Sequence, residues 1–155
     1  MKLSIVAVGR LGRSPEAELV RTYAERATAA GRALGLGPLA VVEVESRKPG
    51  KTAEALALAP HLTDAHVIAC DEHGQVRTSR ALAEEIARLR DAGVRRLVFV
   101  IGGADGLAPE LLAQANGKLA FGPQTWPHAL ARAMLAEQLY RAVTILAGSP
   151  YHRDG

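Results

Sequence analysis

The chain has 155 residues, a length that fits one domain with a real hydrophobic core. Its 48% hydrophobic and 23% charged residues exclude intrinsic disorder and the collagen-like and disulfide-scaffold classes. Nineteen Lys and Arg against sixteen Asp and Glu leave +3, which permits a polyanionic partner without arguing for one.

In chain order, residues 3–8 form the first apolar run. Ser14-Pro15-Glu16 reads as an N-cap, a proline at the first helical position and a first-turn acid, opening a helix to about Leu34. Residues 39–45 read as a second strand, Thr52 to about His61 as a short helix, and His66 to Cys70 as a third strand. Leu82, Ile86 and Leu89 recur at helical spacing before Gly93. Leu97-Val98-Phe99-Val100-Ile101 is apolar throughout, the mark of a central strand buried on both faces. A helix near 108–115, a short strand near 118–121 and a long helix from about 128 to 146 complete the series. Strands alternating with helices predict a single-domain α/β fold, a parallel sheet with helices on both faces. The last helix is apolar over more of its circumference than one sheet would bury. Burial inside the chain and a subunit interface account for that equally well.

The start, Met1 to Gly9, is too short an apolar run for a signal peptide, and no run reaches the roughly 18–20 residues of a membrane helix. A single cysteine, Cys70, excludes an internal disulfide and fits a reducing compartment, so a cytoplasmic protein without membrane contact is expected. With two Phe, three Tyr and one Trp, a sheet that stacks RNA bases on exposed rings is disfavoured. His61, His66 and His73 come from different elements, and no metal site is expected.

Gly50-Lys51-Thr52 resembles the end of a P-loop, but Glu45 stands where that motif needs glycine. Gly9-Arg10-Leu11-Gly12 lacks the glycine triplet of a dinucleotide site. Three segments follow strands on what would be one sheet edge, where ligands bind in parallel sheets. Gly102-Gly103-Ala104-Asp105-Gly106 has more glycine than a tight turn needs and allows close approach to backbone amides. Asp71-Glu72-His73-Gly74 leaves the third strand, with Glu72 read as a solvated turn residue. Phe121-Gly122-Pro123-Gln124-Thr125-Trp126-Pro127-His128 is a stiff loop whose backbone suits reading a planar ring between apolar walls; Trp126 as a core anchor is the structural alternative. Arg10 and Arg13 after the first strand, and Arg47, Lys48 and Lys51 after the second, are expected to converge near the glycine loops. The ending Tyr151-His152-Arg153 offers a stacking group and two donors, although a lone tail of this kind is usually frayed.

Several of these segments together resemble a known family. They are Met1-Lys2-Leu3 through Val8-Gly9, Ile101 to Gly106, Thr125-Trp126-Pro127-His128, Leu135 to Ala142 and Pro150-Tyr151-His152-Arg153. The resemblance spans essentially the whole chain and is to the ribosomal RNA large-subunit methyltransferases H of the SPOUT class. It implies one SPOUT domain over 1–155, with a trefoil knot in the cofactor-binding part from about 95 to 155. It also implies a homodimer using S-adenosylmethionine (SAM) to methylate N3 of a pseudouridine in helix 69 of 23S ribosomal RNA, on the assembled 70S ribosome. The cofactor contacts it carries over are Cys70, Gly102 and Phe121 through Trp126, with Cys70 standing where many members have leucine. For the proton on N3, His128 and His152 are the candidate acceptors, and Arg132 and Arg153 the candidate anion stabilisers or phosphate ligands. Arg10, Arg47, Lys48, Lys51, Arg132, Tyr151, His152 and Arg153 are the expected RNA contacts. The competing readings are a non-enzymatic ribosome-binding factor and a SPOUT methyltransferase acting on another RNA.

Overall fold

Five parallel strands, β1 (Lys2–Val8), β2 (Leu39–Val44), β3 (His66–Val76), β4 (Arg96–Ile101) and β5 (Gly117–Ala120), form one sheet in the order β2-β1-β4-β3-β5. The computed structural model describes residues 1–154. β4 is central and buried on both sides, which is why its sequence does not alternate. Leu97, Phe99 and Ile101 enter one core while Val98 and Val100 enter the other. The first core is covered by α1 (Pro15–Gly31), α3 (Ser79–Asp91) and α5 (His128–Ala147), the second by the shorter α2 (Lys51–Leu58) and α4 (Pro109–Gln114).

The helix starts follow their caps. Ser14 Oγ accepts from the Ala17 amide at 3.1 Å and Thr78 Oγ1 from the Ala81 amide at 3.0 Å, satisfying donors that have no partner within the helix. α1 ends three residues earlier than expected, and residues 32–34 continue as a 3-10 turn. The cause is Gly31: the chain returns so tightly that a Cβ there would lie 2.5 Å from the Leu36 carbonyl oxygen.

The third strand departs from expectation in a way that matters for the site. It does not stop at Cys70 but continues to Val76, with Cys70 and Gln75 both opposite Leu119 on β5. Asp71-Glu72-His73-Gly74 is therefore an excursion within the strand. Gly74 permits the return, since a Cβ there would sit 2.8 Å from the Leu119 backbone.

α5 lies between α1 and α3 over the sheet and buries Leu135, Ala136, Leu139, Ala142 and Val143. Full burial of each of the two leucines contributes about 1.5–3 kcal/mol. Packing within one chain buries this stripe of the helix, while Leu130, Met134, Ile145 and Leu146 stay only partly buried. Its start also fixes the course of the chain. β5 is an edge strand, yet Arg132, in the second turn of α5, donates to the carbonyls of Val8 and Gly9 at the end of β1. The segment 121–131 thus runs back across the carboxyl ends of β3 and β4. No helix among the described residues is long and apolar enough to cross a membrane.

Candidate functional site

The returning segment roofs a cavity of about 810 Å³ at the carboxyl edge of the sheet, a volume ordinary for small-molecule sites. Its walls are Cys70 to His73 from the β3 excursion, Ile101 to Leu107 after β4, and Phe121, Gly122, Gln124, Thr125, Trp126, Pro127 and His128 after β5. Lys51 reaches it from the start of α2. Three segments separated by up to fifty residues meet because β4, β3 and β5 are consecutive in the sheet.

Each wall is held by local chemistry. After β4, the Gly106 amide donates to the Gly103 carbonyl at 3.0 Å, and a Cβ on Gly102 would lie 2.6 Å from the Gly106 backbone. Among the described residues the amides of Ala104 and Asp105, between the bridged pair Gly103 and Gly106, donate to no protein acceptor, so they are available to a ligand. The last loop turns at Gly122, with φ 94°, and is closed by the Trp126 indole N–H donating to the Phe121 carbonyl at 3.0 Å. Trp126 is 37% exposed on the cavity wall, so it is not a core anchor. Glu72 is 55% exposed, as a solvated turn residue, and its carboxylate lies 3.4 Å from Thr125 Oγ1, a long contact between the two loops.

Cys70 faces the same space, and its thiol is pushed up to about 12 by burial, with the Asp71 carboxylate adding to the effect. The group is a protonated, weakly polar wall at neutral pH. Alkylation by iodoacetamide at pH 8 is expected to be about 10²-fold or more slower in the folded chain than in the urea-unfolded chain, measured by mass spectrometry. Folded and unfolded rates that agree would contradict this environment.

The basic residues separate. Only Lys51 lines the cavity. Arg10 pairs with Glu45 at 2.9 Å, and Arg47 and Lys48 stand exposed between β2 and α2. The sheet order keeps them apart, because β2 is two strands away from β4. For Arg132 the expectation of an RNA or anion contact is overturned: its side chain is 1% exposed. One guanidinium nitrogen donates to Glu43 Oε2 at 2.8 Å and another to the Val8 and Gly9 carbonyls at 3.0 and 3.1 Å. Glu43 Oε2 also accepts from the Leu11 amide at 2.9 Å. The guanidinium joins α5 to β1 and β2 rather than facing solvent.

The tail is not frayed. Tyr140 packs edge-on to Tyr151, whose hydroxyl donates to Glu137 Oε1 at 2.9 Å; the phenol's pKa is raised by burial first and that carboxylate second. His152 lies between Arg141, at 3.2 Å, and Asp154, at 2.8 Å, while Asp154 also pairs with Arg80. Tyr151 and His152 are thus held against α5 and Arg153 is exposed; none of the three lines the cavity of its own chain, whereas His128 does. Pro123 belongs to the same loop but also lies off the cavity wall. Reasoning from sequence missed Glu54 of α2, whose carboxylate packs against Gly103; no motif marks it.

Comparison with known proteins adds kinship to this geometry. A family model described as "Predicted SPOUT methyltransferase" matches residues 1–152. The chain is 81% identical over 154 residues to a "Ribosomal RNA large subunit methyltransferase H" of Phenylobacterium zucineum, covering 99% of this chain and 100% of that protein. It is 71% identical over 154 residues to the protein of the same name from Caulobacter sp. strain K31, again over 99% of this chain and 100% of that one. Among solved structures, a probable methylase family protein from Haemophilus influenzae shares the fold at a TM-score of 0.56 and 16% identity, over 98% of this chain and 70% of that one. A probable methyltransferase from Bordetella pertussis does so at 0.52 and 19%, over 92% and 96%. The chain belongs to the SPOUT methyltransferase family and, within it, to the ribosomal RNA large-subunit methyltransferases H.

Proposed function

We propose that the chain uses SAM to methylate N3 of a pseudouridine in helix 69 of 23S ribosomal RNA, in the cytoplasm and on the assembled 70S ribosome. The observation that carries the cofactor assignment is the cavity roofed by the 121–131 segment, with unengaged amides on one wall and a stiff loop carrying Phe121 and Trp126 on the other. Gly102 and the amides after it would receive polar atoms of the cofactor. Cys70, Phe121, Gly122, Gln124, Thr125 and Trp126 would enclose its flat, apolar part, with Pro123 stiffening that loop. When bound, SAM supplies a methyl group on a sulfonium centre.

The protein's share of the work is alignment and exclusion of water. The Trp126–Phe121 bond holds the loop that does this. His128 lines the cavity wall and is the residue proposed to take the N3 proton. The reading includes a homodimer: His152 and Arg153 do not line the cavity of their own chain, and the tail of a second copy is the group proposed to reach the nucleotide. Residues 95–155 carry the trefoil threading in this reading. In this reading Lys51 at the cavity, and Arg10, Arg47 and Lys48 farther along the sheet edge, meet phosphates of ribosomal RNA, with Tyr151 and Arg153 of the tail as further RNA contacts.

The deciding experiment incubates the protein and SAM with 70S particles lacking the modification, followed by nucleoside mass spectrometry of the large-subunit RNA. A single N3-methylpseudouridine in helix 69, absent with deproteinised RNA, is expected. Cofactor binding without transfer would leave a ribosome-binding factor, and transfer to another RNA would change the substrate.

A further inference from the structure

We propose that Glu54 makes this site prefer a positively charged sulfonium donor over the neutral thioether that methyl transfer leaves behind; the proposal rests on the cofactor assignment above. Glu54 stands in the first turn and a half of α2, and its Oε1 is closed off from solvent with no hydrogen-bond partner. The carboxylate is pressed against the glycine loop: a Cβ on Gly103 would lie 2.8 Å from Oε2 and 3.3 Å from Oε1. The approach is possible because residue 103 carries no side chain.

Gly103 itself lines the cavity, so the carboxylate is separated from the bound ligand by the thickness of one glycine. Among the described residues it makes no ion pair. Lys51, one turn earlier, faces the cavity instead. An acid near a helix start gains from the helix dipole, which explains its tolerance there but not its burial against the loop.

A half-buried carboxylate with one oxygen closed off from solvent is screened less than a free surface charge and acts over several ångströms. It attracts a cation and is nearly indifferent to a neutral group of the same shape. SAM and its product, S-adenosylhomocysteine, share the adenosine and the amino-acid head and differ in the methyl group and the sulfur's charge. Asp71, Glu72 and Asp105 line the cavity and act on the same charge, so the change in the ratio of the two affinities on substitution is what isolates the contribution assigned to Glu54. In function, this carboxylate favours exchange of spent product for fresh donor.

The test is calorimetric titration of the full-length protein with each ligand. In Glu54→Gln, SAM binding is expected to weaken by about fivefold or more, with S-adenosylhomocysteine binding unchanged within about twofold. Glu54→Asp, which keeps the charge, should retain most of the preference. Should Glu54→Gln fail to fold, Gly103→Ala asks the same question, because its Cβ displaces the carboxylate and lowers the same ratio. Equal weakening of both ligands would overturn the proposal by reducing Glu54 to a support for the loop, as would no change in either. A wild-type protein that binds neither ligand would remove the cofactor assignment itself, whereas wild-type binding with an unaltered ratio in the variants removes this proposal alone.

Discussion

Replacing Gly102 by alanine is expected to lower methyl transfer by about 10²-fold while the chain remains folded. The added Cβ would stand 2.6 Å from both the carbonyl carbon and the oxygen of Gly106 and 3.1 Å from the Leu107 side chain. The first two are backbone atoms of the turn that shapes the cavity wall, so relief requires the whole loop to move. A shift of about 1 Å at a positioning element is enough for a loss of that order. The strain, about 1–3 kcal/mol for an overpacked site, is smaller than the roughly 5–15 kcal/mol stability of a domain. Gly103→Ala supplies the contrast, since its Cβ meets the end of the Glu54 side chain, which can rotate away. Its loss of turnover should be nearer about tenfold or less. Turnover on 70S particles, compared with thermal melting of the same preparations, distinguishes a displaced loop from an unfolded chain. Wild-type turnover in Gly102→Ala would show that the loop does not shape the site.

The loop after β4 was legible because its strand is apolar at every position and its glycines exceed what a turn requires. The cap at Ser14 is equally local, and β1 and the first residues of α1 lie where local chemistry puts them. Features set by two distant segments were not legible. β3 continues past Cys70 because Leu119 of β5, about fifty residues later, pairs with Gln75 as well as with Cys70. The partial gathering of the basic residues follows from strand order, which no single segment encodes. Glu54 looks like any acid in a first helical turn until the glycine loop is laid beside it. Arg132 is different, since a signal was present. It shares a helix face with Leu135, Ala136, Leu139 and Val143, the spacing of a core stripe, and residue type suggested a surface cation where position indicated burial.

That position makes Arg132→Met the substitution with the largest expected effect on stability, a loss of about 2–4 kcal/mol. Methionine fills much of the volume and continues the helix, so the loss isolates the guanidinium. Two carbonyls at the end of β1 lose their donor, and Glu43 loses its cationic partner. Glu43 is 37% exposed and keeps the Leu11 amide, which is why the loss falls below that of a fully buried pair. Burial lowers the guanidinium's pKa and Glu43 raises it; the group remains a cation throughout the neutral range. Glu43→Gln should therefore cost less than Arg132→Met, because an amide oxygen still accepts from both donors. Urea unfolding followed by circular dichroism gives both values, and the double variant gives their coupling. A loss under about 0.5 kcal/mol in Arg132→Met would mean the guanidinium does not join α5 to the sheet. A loss of the expected size, with weakened SAM binding in the fraction still folded, would tie the start of α5 to the cavity it roofs.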